Sequence, residues 1–317
     1  MFSRAFTSVG FGLALAIVLV GCGAAPTEPT AAQPTEGTAE VGKTPERLIF
    51  SFQRQKDPAQ VKEDAERVAK ILSDEIGIPV EVQVPTAYSA TVQALVSERA
   101  HVAYLSSTPF ILAEREAPVE VMVAEERKGK TTYDAVFVVR ADSTYRTLAD
   151  LKGKTMAFTS PTSASGYVFP YGEMVKEGLL EAGAKPETFF GKTLFAGGYD
   201  RALQAVVRGQ ADVAAVSDYT VEGDKTDKYI SKEDLAQLRV LFRVPNVPTH
   251  LIAVRADLAP ELKAKIKAAL LKLSETQPEA LADVYGASKF VSAEGNHVQS
   301  ARDALKRTGL DVKSVVE

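Results

Sequence analysis

The sequence predicts an α/β protein of two lobes, in which each lobe is a mostly parallel sheet flanked by helices. Short apolar segments alternate with segments of helical periodicity from residue 47 onward. In both halves of the chain, strands end in short polar loops and helices begin directly after them. Because such loops meet at the carboxyl edge of a parallel sheet, we expect a ligand site in the cleft between the lobes.

The first series of elements begins with a strand at 47–52 and a helix opened by Asp57-Pro58, since proline is tolerated in a first helical turn. This helix is expected to reach Ile76. The series continues with a strand at 79–84, a helix at 90–99 capped by Ser89, a strand at 102–105, a helix around 110–112 and a strand at 119–124.

The second series starts with a strand at 134–140 that passes into the second lobe. It continues with a helix and turn at 148–154, a strand at 154–158, helices at 171–182 and 201–208, and strands at 194–196, 213–216 and 238–242. A strand at 251–254 returns to the first lobe, and the chain is helical from Pro260, with a long helix and two shorter ones. We therefore assign 46–135 with 250–317 to lobe 1, and 136–249 to lobe 2.

The segment 159–170 is rich in small hydroxyl residues and lies between a strand and a helix. The first N–H groups of a helix lack intrahelical partners, and the helix dipole places partial positive charge there. With the hydroxyl groups and Gly166, this segment predicts an oxyanion site. An ordinary serine-rich helix cap remains the alternative.

The N-terminus predicts a secreted lipoprotein. Residues 1–22 carry an early cation, an apolar run and LVGC at 19–22, which matches the bacterial lipobox with Cys22 as the lipidated residue. A signal peptide without lipidation is the alternative. Residues 23–45 contain almost no large apolar side chains and are predicted to be a disordered tether. We therefore expect a lipid-anchored protein outside the cytoplasmic membrane.

Composition excludes several classes of function. A chain of 317 residues with 45% hydrophobic content can bury two cores, and a net charge of −4 gives no basic surface for nucleic acid. The single cysteine excludes a disulfide framework and a multi-cysteine metal site. The three histidines form no metal-binding motif, and we expect neither a metal nor a cofactor.

Four segments, taken in order, resemble the periplasmic phosphonate-binding proteins of ABC importers, within the wider phosphate, phosphite and phosphonate class. They are YSATVQAL at 88–95, AHVAY at 100–104, SASGYVFP at 163–170 and GQADVA at 209–214. The resemblance implies a two-lobed periplasmic binding protein of type II. It implies closure on a ligand by hinge motion and delivery to a membrane permease with its ATPase.

The resemblance also implies site residues. The family's first-lobe aromatic residues match Tyr88 and Tyr104, whose hydroxyl groups could donate to an oxyanion; core or rim aromatics are the alternative. The family's second-lobe loop matches Ser163, Ala164, Ser165 and Gly166, with one hydroxyl replaced by Ala164. Removal of the Ser163 and Ser165 hydroxyl groups is expected to weaken binding and to leave the apo protein's stability nearly unchanged.

The chain departs from the family pattern at other positions. Tyr199 replaces a common histidine, and Tyr219 and His250 stand where aminoethylphosphonate binders carry acids. A buried ammonium without a carboxylate would be costly, so we expect a small anion: phosphite, methylphosphonate or phosphate. Asp218 could accept from a protonated P–OH or cap the following turn. His250 could donate to the anion, which would favour its charged form, or be a loop residue. His101 and His297 are expected at the surface.

Two other classes of function are alternatives. An extracytoplasmic phosphoester or phosphonate hydrolase needs a metal cluster or an activated nucleophile, and Ser163 has no identifiable base. A sensor or a binder of another oxyanion would use the same scaffold. We expect a monomeric binding protein without catalytic activity.

Overall fold

The computed structural model describes residues 42–53, 58–224, 226–287 and 289–310. The predicted signal peptide, Cys22 and most of the predicted tether lie outside these residues. Residues 42–45, predicted as the end of the tether, contact the body: the Lys43 N–H donates to the Asp257 carbonyl at 2.7 Å, and its ammonium pairs with Glu98 and Asp257. Among the described residues, no helix has the length and hydropathy to cross a membrane.

The described elements form two sheets with flanking helices. The strands are β1 (Leu48–Phe52), β2 (Val80–Gln83), β3 (Val102–Leu105), β4 (Val119–Glu126), β5 (Thr132–Arg140), β6 (Thr155–Phe158), β7 (Lys192–Phe195), β8 (Val213–Ser217), β9 (Leu238–Pro248), β10 (Leu251–Arg255) and β11 (Lys289–Ser292). The α-helices are α1 (Pro58–Ile76), α2 (Tyr88–Val96), α3 (Ser107–Glu116), α4 (Phe169–Lys176), α5 (Tyr199–Val207), α6 (Lys232–Leu235), α7 (Pro260–Thr276), α8 (Pro278–Tyr285) and α9 (Gln299–Thr308).

The first sheet has the order β11-β4-β10-β3-β1-β2, and the second has the order β7-β6-β8-β5-β9. In the first sheet, β1 pairs in parallel with β2 and β3. In the second sheet, β6 pairs in parallel with β7 and β8. Strand β10 runs antiparallel to its neighbours in the first sheet, and β5 does so in the second. The predicted α/β architecture of two mostly parallel sheets is confirmed.

Apolar spacing explains the long helices. Helix α1 buries Val61, Ala65, Val68 and Leu72, and α7 buries Ile266, Leu270 and Leu273, at helical intervals. Both helices pack on the first sheet in one hydrophobic cluster, while α5 packs on the second sheet in another. A third cluster includes residues from both sheets and from α3, α4 and α9, so the lobes share apolar contacts.

Several predicted elements differ from the structure. Helix α2 begins at Tyr88 with Ala87 as its N-cap, so Ser89 does not cap it. Helix α4 begins at Phe169, after a π-helical turn at Ala164–Val168, and ends at Lys176, because Gly178 turns the chain with φ of 70°. Strand β11 replaces part of the predicted C-terminal helical region.

The chain crosses between the two sheets three times. The first crossing joins β4 to β5, the second joins β9 to β10, and the third follows β11, because α9 packs against α4 and β9 of the second lobe. The sequence assigned this last helix to lobe 1; in the structure it packs against α3 of the first lobe as well as against α4 and β9 of the second. Hydrogen bonds join the crossings in a row: Thr249 donates from N to the Thr131 carbonyl at 2.9 Å, and the His297 ring contacts the Thr249 carbonyl at 2.9 Å.

Candidate functional site

The candidate site lies where the carboxyl ends of strands from both sheets meet. Strand β3 leads into α3, β6 leads into the hydroxyl-rich segment and its π-helical turn, and β8 ends at Ser217 before Asp218. Helix α3 lies against the π-helical turn of the other lobe. The strand-end loops of both lobes therefore face each other, as the alternation of elements predicted.

Ser165 is the centre of a buried hydroxyl cluster in the second lobe. Its Oγ lies 2.9 Å from the Tyr199 hydroxyl and 2.8 Å from Ser217 Oγ, and it accepts from the Tyr133 hydroxyl at 3.4 Å. Ser165 and Ser217 are both 0% exposed. The structure thus brings the predicted residues Ser165 and Tyr199 together, and adds Tyr133 and Ser217, which sequence reasoning missed.

Ser163 caps the helical segment that follows it. Its Oγ accepts from the Gly166 N–H at 3.0 Å, which leaves its own hydroxyl hydrogen free to donate elsewhere. A Cβ at Gly166 would lie 2.3 Å from Thr159 Oγ1, so glycine is required for space. The N–H groups of Ala164 and Ser165 open the helix and have no intrahelical acceptor. This loop can therefore offer hydroxyl and backbone donors together.

The Tyr104 hydroxyl contacts a carboxylate of the protein, whereas the sequence predicted that it donates to an oxyanion ligand. Its hydroxyl donates to Glu125 Oε1 at 2.5 Å, so its single proton is directed at a carboxylate. Tyr88 is the first residue of α2, at the carboxyl side of β2. A ligand role for either tyrosine stays a prediction.

Glu125 and Arg127 form a buried ion pair that sequence reasoning missed. The Arg127 guanidinium lies 3.0 Å from Glu125 Oε2 and donates to the Gly286 carbonyl at 3.1 Å. Burial raises the pKa of Glu125, while Arg127 and the Tyr104 hydroxyl favour its ionised form. Burial lowers the pKa of Arg127, but Glu125 and the nearby tyrosine hydroxyl groups together outweigh it, so the net shift is upward. The available signal was a pair of charges at the end of an apolar strand, Val119–Glu126.

His250 is enclosed by aromatic rings at the start of β10. Its ring stacks on Tyr104 at 5.2 Å between centroids and on Tyr133 at 6.3 Å, and the side chain is 0% exposed. Burial, followed by Arg127 and His297, holds the pKa of His250 well below its usual value. Without a bound anion this shift favours the neutral imidazole; a charged ring beside a bound anion stays a prediction.

Tyrosine rings line the region beside this imidazole. Tyr219 contacts Tyr133 edge-on at 5.2 Å and lies 6.3 Å from Tyr199, while the Arg127 guanidinium sits 4.2 Å from the Tyr219 ring centre. Burial raises the pKa of Tyr133 and Tyr219, so both keep their hydroxyl protons at neutral pH. The lining is thus aromatic and carries neutral donors.

Asp218 lies on the outer side of these rings. It accepts from the Tyr219 N–H at 2.7 Å, and burial raises the pKa of its carboxyl group. Asp218, Tyr133 and Tyr219 also line a cleft of about 490 Å³ between the lobes. Basic and acidic side chains surround this outer cleft: Arg127, Lys128, Lys130, Lys228, Glu222 and Asp224.

Several buried polar atoms have no hydrogen-bond partner among the described residues. Three of them belong to hydroxyl groups on helices of the first lobe, Thr91, Ser107 and Thr108, and two are the ring nitrogens of His250. The others are Ser51 Oγ and Asp200 Oδ1. Sequence reasoning did not include Thr91, Ser107 or Thr108 in the site, although Ser106-Ser107-Thr108-Pro109 directly follows a buried strand.

The other two histidines are partly buried and make structural contacts. His101 Nδ1 accepts from the Ile49 N–H at 3.0 Å, and the His297 ring contacts the Thr249 carbonyl. Burial lowers the pKa of both. Among the described residues, no group of histidine, cysteine, aspartate and glutamate has the arrangement of a metal site.

Two sheets with facing strand ends, donors from both lobes and a cleft between them define a two-lobed binding protein. Residues 50–298 match the family described as ABC transporter, phosphonate, periplasmic substrate-binding protein. The chain belongs to this family, as the four sequence segments indicated. Its members are substrate-binding proteins rather than enzymes, and membership implies a periplasmic location with a permease and an ATPase as partners.

Individual proteins support this assignment. The chain is 25% identical over 243 residues to the phosphate-import protein PhnD of Mycolicibacterium smegmatis, covering 74% of each chain. Its fold is similar to the binding component of an ABC phosphonate transporter from Pseudomonas aeruginosa, with a TM-score of 0.72, 22% identity and coverage of 81% and 84%. PhnD1 from Prochlorococcus marinus, solved with methylphosphonate, gives a TM-score of 0.72, 18% identity and coverage of 83% and 98%.

Proposed function

We propose that this protein captures a small phosphorus oxyanion with little or no organic tail, namely phosphite or methylphosphonate, and delivers it to its permease. The hydroxyl cluster around Ser165, at the start of a buried helical segment, is the observation that carries the proposal. Neutral donors bind an anion strongly in a water-poor cleft because electrostatic interactions strengthen at low dielectric.

The aromatic lining favours a short ligand. Tyr133, Tyr199 and Tyr219 contact one another beside the hydroxyl cluster and occupy the space next to it. A hydrogen or a methyl group on phosphorus would fit against these rings, whereas a longer chain would have to displace them. Ligands with extended tails are therefore disfavoured.

The charges near the site disfavour an aminoalkyl phosphonate. Positions 219 and 250 carry no carboxylate, and the nearby Glu125 already pairs with Arg127. An added ammonium would meet the Arg127 guanidinium, which lies over the Tyr219 ring. Like charges in a buried region repel strongly, so a zwitterionic ligand loses affinity.

Phosphate is the second candidate because the Mycolicibacterium smegmatis relative bears the name phosphate-import protein. A sensor or a binder of another oxyanion would keep the same donors. In all these cases the mechanism is binding without chemistry: the anion docks on one lobe, and closure brings the donors of the other lobe to it.

We also propose that the mature protein is monomeric and anchored to the outer face of the cytoplasmic membrane by lipid on Cys22. The LVGC sequence at 19–22 supports this proposal. Mass spectrometry of the N-terminal peptide should detect diacylglyceryl-modified cysteine. A Cys22→Ala variant found in the membrane fraction as abundantly as the wild type would overturn it.

Calorimetry tests the ligand. The chain from residue 23, titrated with phosphite, methylphosphonate, aminoethylphosphonate and phosphate, should bind one of the first two at least about tenfold more tightly than the last two, a difference of about 1.4 kcal/mol. Tightest binding of phosphate would establish the second candidate. Preference for aminoethylphosphonate, or absence of binding, would overturn the proposal.

A further inference from the structure

The first turn of α3 contains two buried hydroxyl groups that make no hydrogen bond to any described residue. Ser107 and Thr108 are both 0% exposed, and neither Ser107 Oγ nor Thr108 Oγ1 has a hydrogen-bond partner among the described residues. A buried hydroxyl without a partner destabilises a fold. Two adjacent ones, on a helix that lies against the π-helical turn of the second lobe, therefore indicate that their partner is a ligand.

The hydroxyl group of the neighbouring Ser106, in contrast, has a hydrogen-bond partner within the protein. Ser106 is the N-cap of α3, and its N–H and hydroxyl bond to the Gln53 side chain at 2.9 and 3.1–3.2 Å. Its carbonyl accepts from the Phe110 N–H at 3.2 Å. Ser106 therefore uses its hydroxyl on Gln53 and does not cap α3 with its side chain, so the first N–H groups of the helix receive no acceptor from it.

The same two residues also carry the unpaired backbone donors of the helix. The N–H groups of the first helical residues, Ser107 and Thr108, have no intrahelical acceptor, and the next residue, Pro109, has no N–H. Two hydroxyl groups and two N–H groups thus project from two consecutive residues at the positive end of the helix dipole. Such a set suits the terminal oxygens of a tetrahedral anion.

His250 lies next to this helix start. Strands β3 and β10 pair with Leu251 opposite Leu105, which puts His250 opposite Ser106 at the same sheet edge. Both nitrogens of its ring are buried and without a partner among the described residues. One nitrogen of a neutral imidazole donates and the other accepts, so the ring can contact an oxyanion as a donor.

We propose that Ser107, Thr108 and His250 form the first lobe's half of an oxyanion site, which takes a tetrahedral anion with at least two terminal oxygens. This inference rests on the proposed function and extends it, because it assigns the first-lobe donors to the start of α3 rather than to the Tyr104 phenol. Helix α3 lies against the π-helical turn of lobe 2, so the anion is held between Ser107-Thr108 and Ser163–Gly166. Closure of the lobes then completes a single shell of donors.

The test compares Ser107→Ala, Thr108→Val and the double variant with the wild type, using the full chain purified in detergent. Phosphite, methylphosphonate, phosphate and sulfate are titrated by calorimetry, and unfolding is followed without ligand. Each single variant should bind the preferred anion about tenfold or more weakly, and the double variant about a hundredfold. The unfolding midpoint without ligand should not fall, because each substitution removes a polar group that has no protein partner.

Two control variants separate the outcomes. Ser274→Ala removes a buried hydroxyl that accepts from the Phe290 N–H at 2.8 Å in the first lobe, so it should lower the midpoint without changing affinity. Ser165→Ala should weaken binding through lobe 2. If Ser165→Ala weakens binding while the Ser107/Thr108 double variant stays within twofold of the wild type, this inference fails and the proposed function stands.

Titration of all four anions distinguishes failure of the proposed function from failure of the first-lobe site. If the wild type binds sulfate alone and the double variant loses that binding, the proposed function fails and the first-lobe site stands. If the wild type binds none of the four anions, both are overturned. A lowered midpoint of the double variant with unchanged affinity would show that the two hydroxyl groups are structural.

Discussion

The imidazole of His250 stacks on the phenol ring of Tyr104 with 5.2 Å between centroids and an interplanar angle of 16°. The contact joins two neighbouring strands of the first sheet at the edge that faces the cleft. The Tyr104 hydroxyl also donates to Glu125, whose carboxylate lies 3.9 Å from His250 Nδ1. The stack therefore connects the predicted first-lobe residues to a buried ion pair that the sequence did not reveal.

The buried imidazole makes stability depend on pH. Because burial lowers the pKa of His250 in the folded state, its contribution is constant above about pH 6.5, the unfolded value. Below that pH the unfolded chain binds a proton that the folded protein does not, so stability falls by up to about 1.4 kcal/mol per pH unit. Urea denaturation at pH 5 and 7.5 should show a smaller loss for His250→Phe than for the wild type. An equal loss in both would contradict a neutral, buried His250. The lowered pKa values of His101 and His297 contribute to the remaining slope, and the raised pKa values of Glu125 and Asp218 oppose it.

Removal of the second-lobe hydroxyl groups should affect stability as well as binding, which corrects the expectation from sequence. Ser163 caps the Gly166 N–H, so Ser163→Ala should cost about 1 kcal/mol of unfolding free energy. Ser163→Thr keeps the cap and should recover most of it. Chemical denaturation measures the effect, and equal stability of Ser163→Ala and wild type would show that the cap is unimportant.

Gly166→Ala should disrupt the loop without any change of charge. The new Cβ would lie 2.3 Å from Thr159 Oγ1 and 2.8 Å from Ser163 Oγ, so the loop must move. We expect a loss of about 1–3 kcal/mol in stability and a lower anion affinity. Gly295→Ala is the matched control, since no atom lies within 4 Å of its added Cβ. Similar denaturation midpoints for the two variants would refute the steric argument.

Carboxylates at positions 219 and 250, which match the acidic positions of aminoethylphosphonate binders, should weaken the binding of small anions. In Tyr219→Glu with His250→Asp, two negative charges would lie beside the anion, and calorimetry should show at least about a tenfold loss of affinity. Tyr219→Phe, which keeps the ring under Arg127, serves as the control. Tighter binding of phosphite or methylphosphonate by the double variant would show that these positions lie elsewhere in the site.

Lys228 should affect affinity without contacting the anion. Its ammonium, from the second lobe, donates to the Ala282 and Asp283 carbonyls of α8 in the first lobe at 2.8 and 3.1 Å. Lys228→Met removes this contact and should shift the protein towards open forms, which lowers apparent affinity several-fold. Lys265→Met, on the exposed face of α7, is the control. Unchanged affinity in Lys228→Met would mean that the contact does not bias closure.

Local sequence patterns predicted the order of the strands and helices and the position of the hydroxyl-rich loop. Apolar runs such as Val213–Ser217 and the spacing of Ile266, Leu270 and Leu273 gave strands and helices in the right order. The hydroxyl-rich loop was predicted because its position after β6 follows from alternation alone. Short edge strands such as β11 carry too few residues for a periodic signal.

The features that the sequence did not predict depend on tertiary contacts. Glu125, Arg127 and Tyr133 enter the site from the crossing between β4 and β5, where side-chain direction depends on register and bulges. Ser107 and Thr108 became candidates only through burial without a partner, which no sequence pattern reports. The contacts of α9 with both lobes likewise follow from packing.

The hydrogen bonds through Thr131, Thr249 and His297 tie three chain segments side by side between the lobes. A displacement of one segment strains its bond to the next, so we expect the three segments to move together when the lobes close. Substitutions that remove these bonds are expected to change the movement of the lobes, whereas substitutions in the cleft change how tightly the ligand is held.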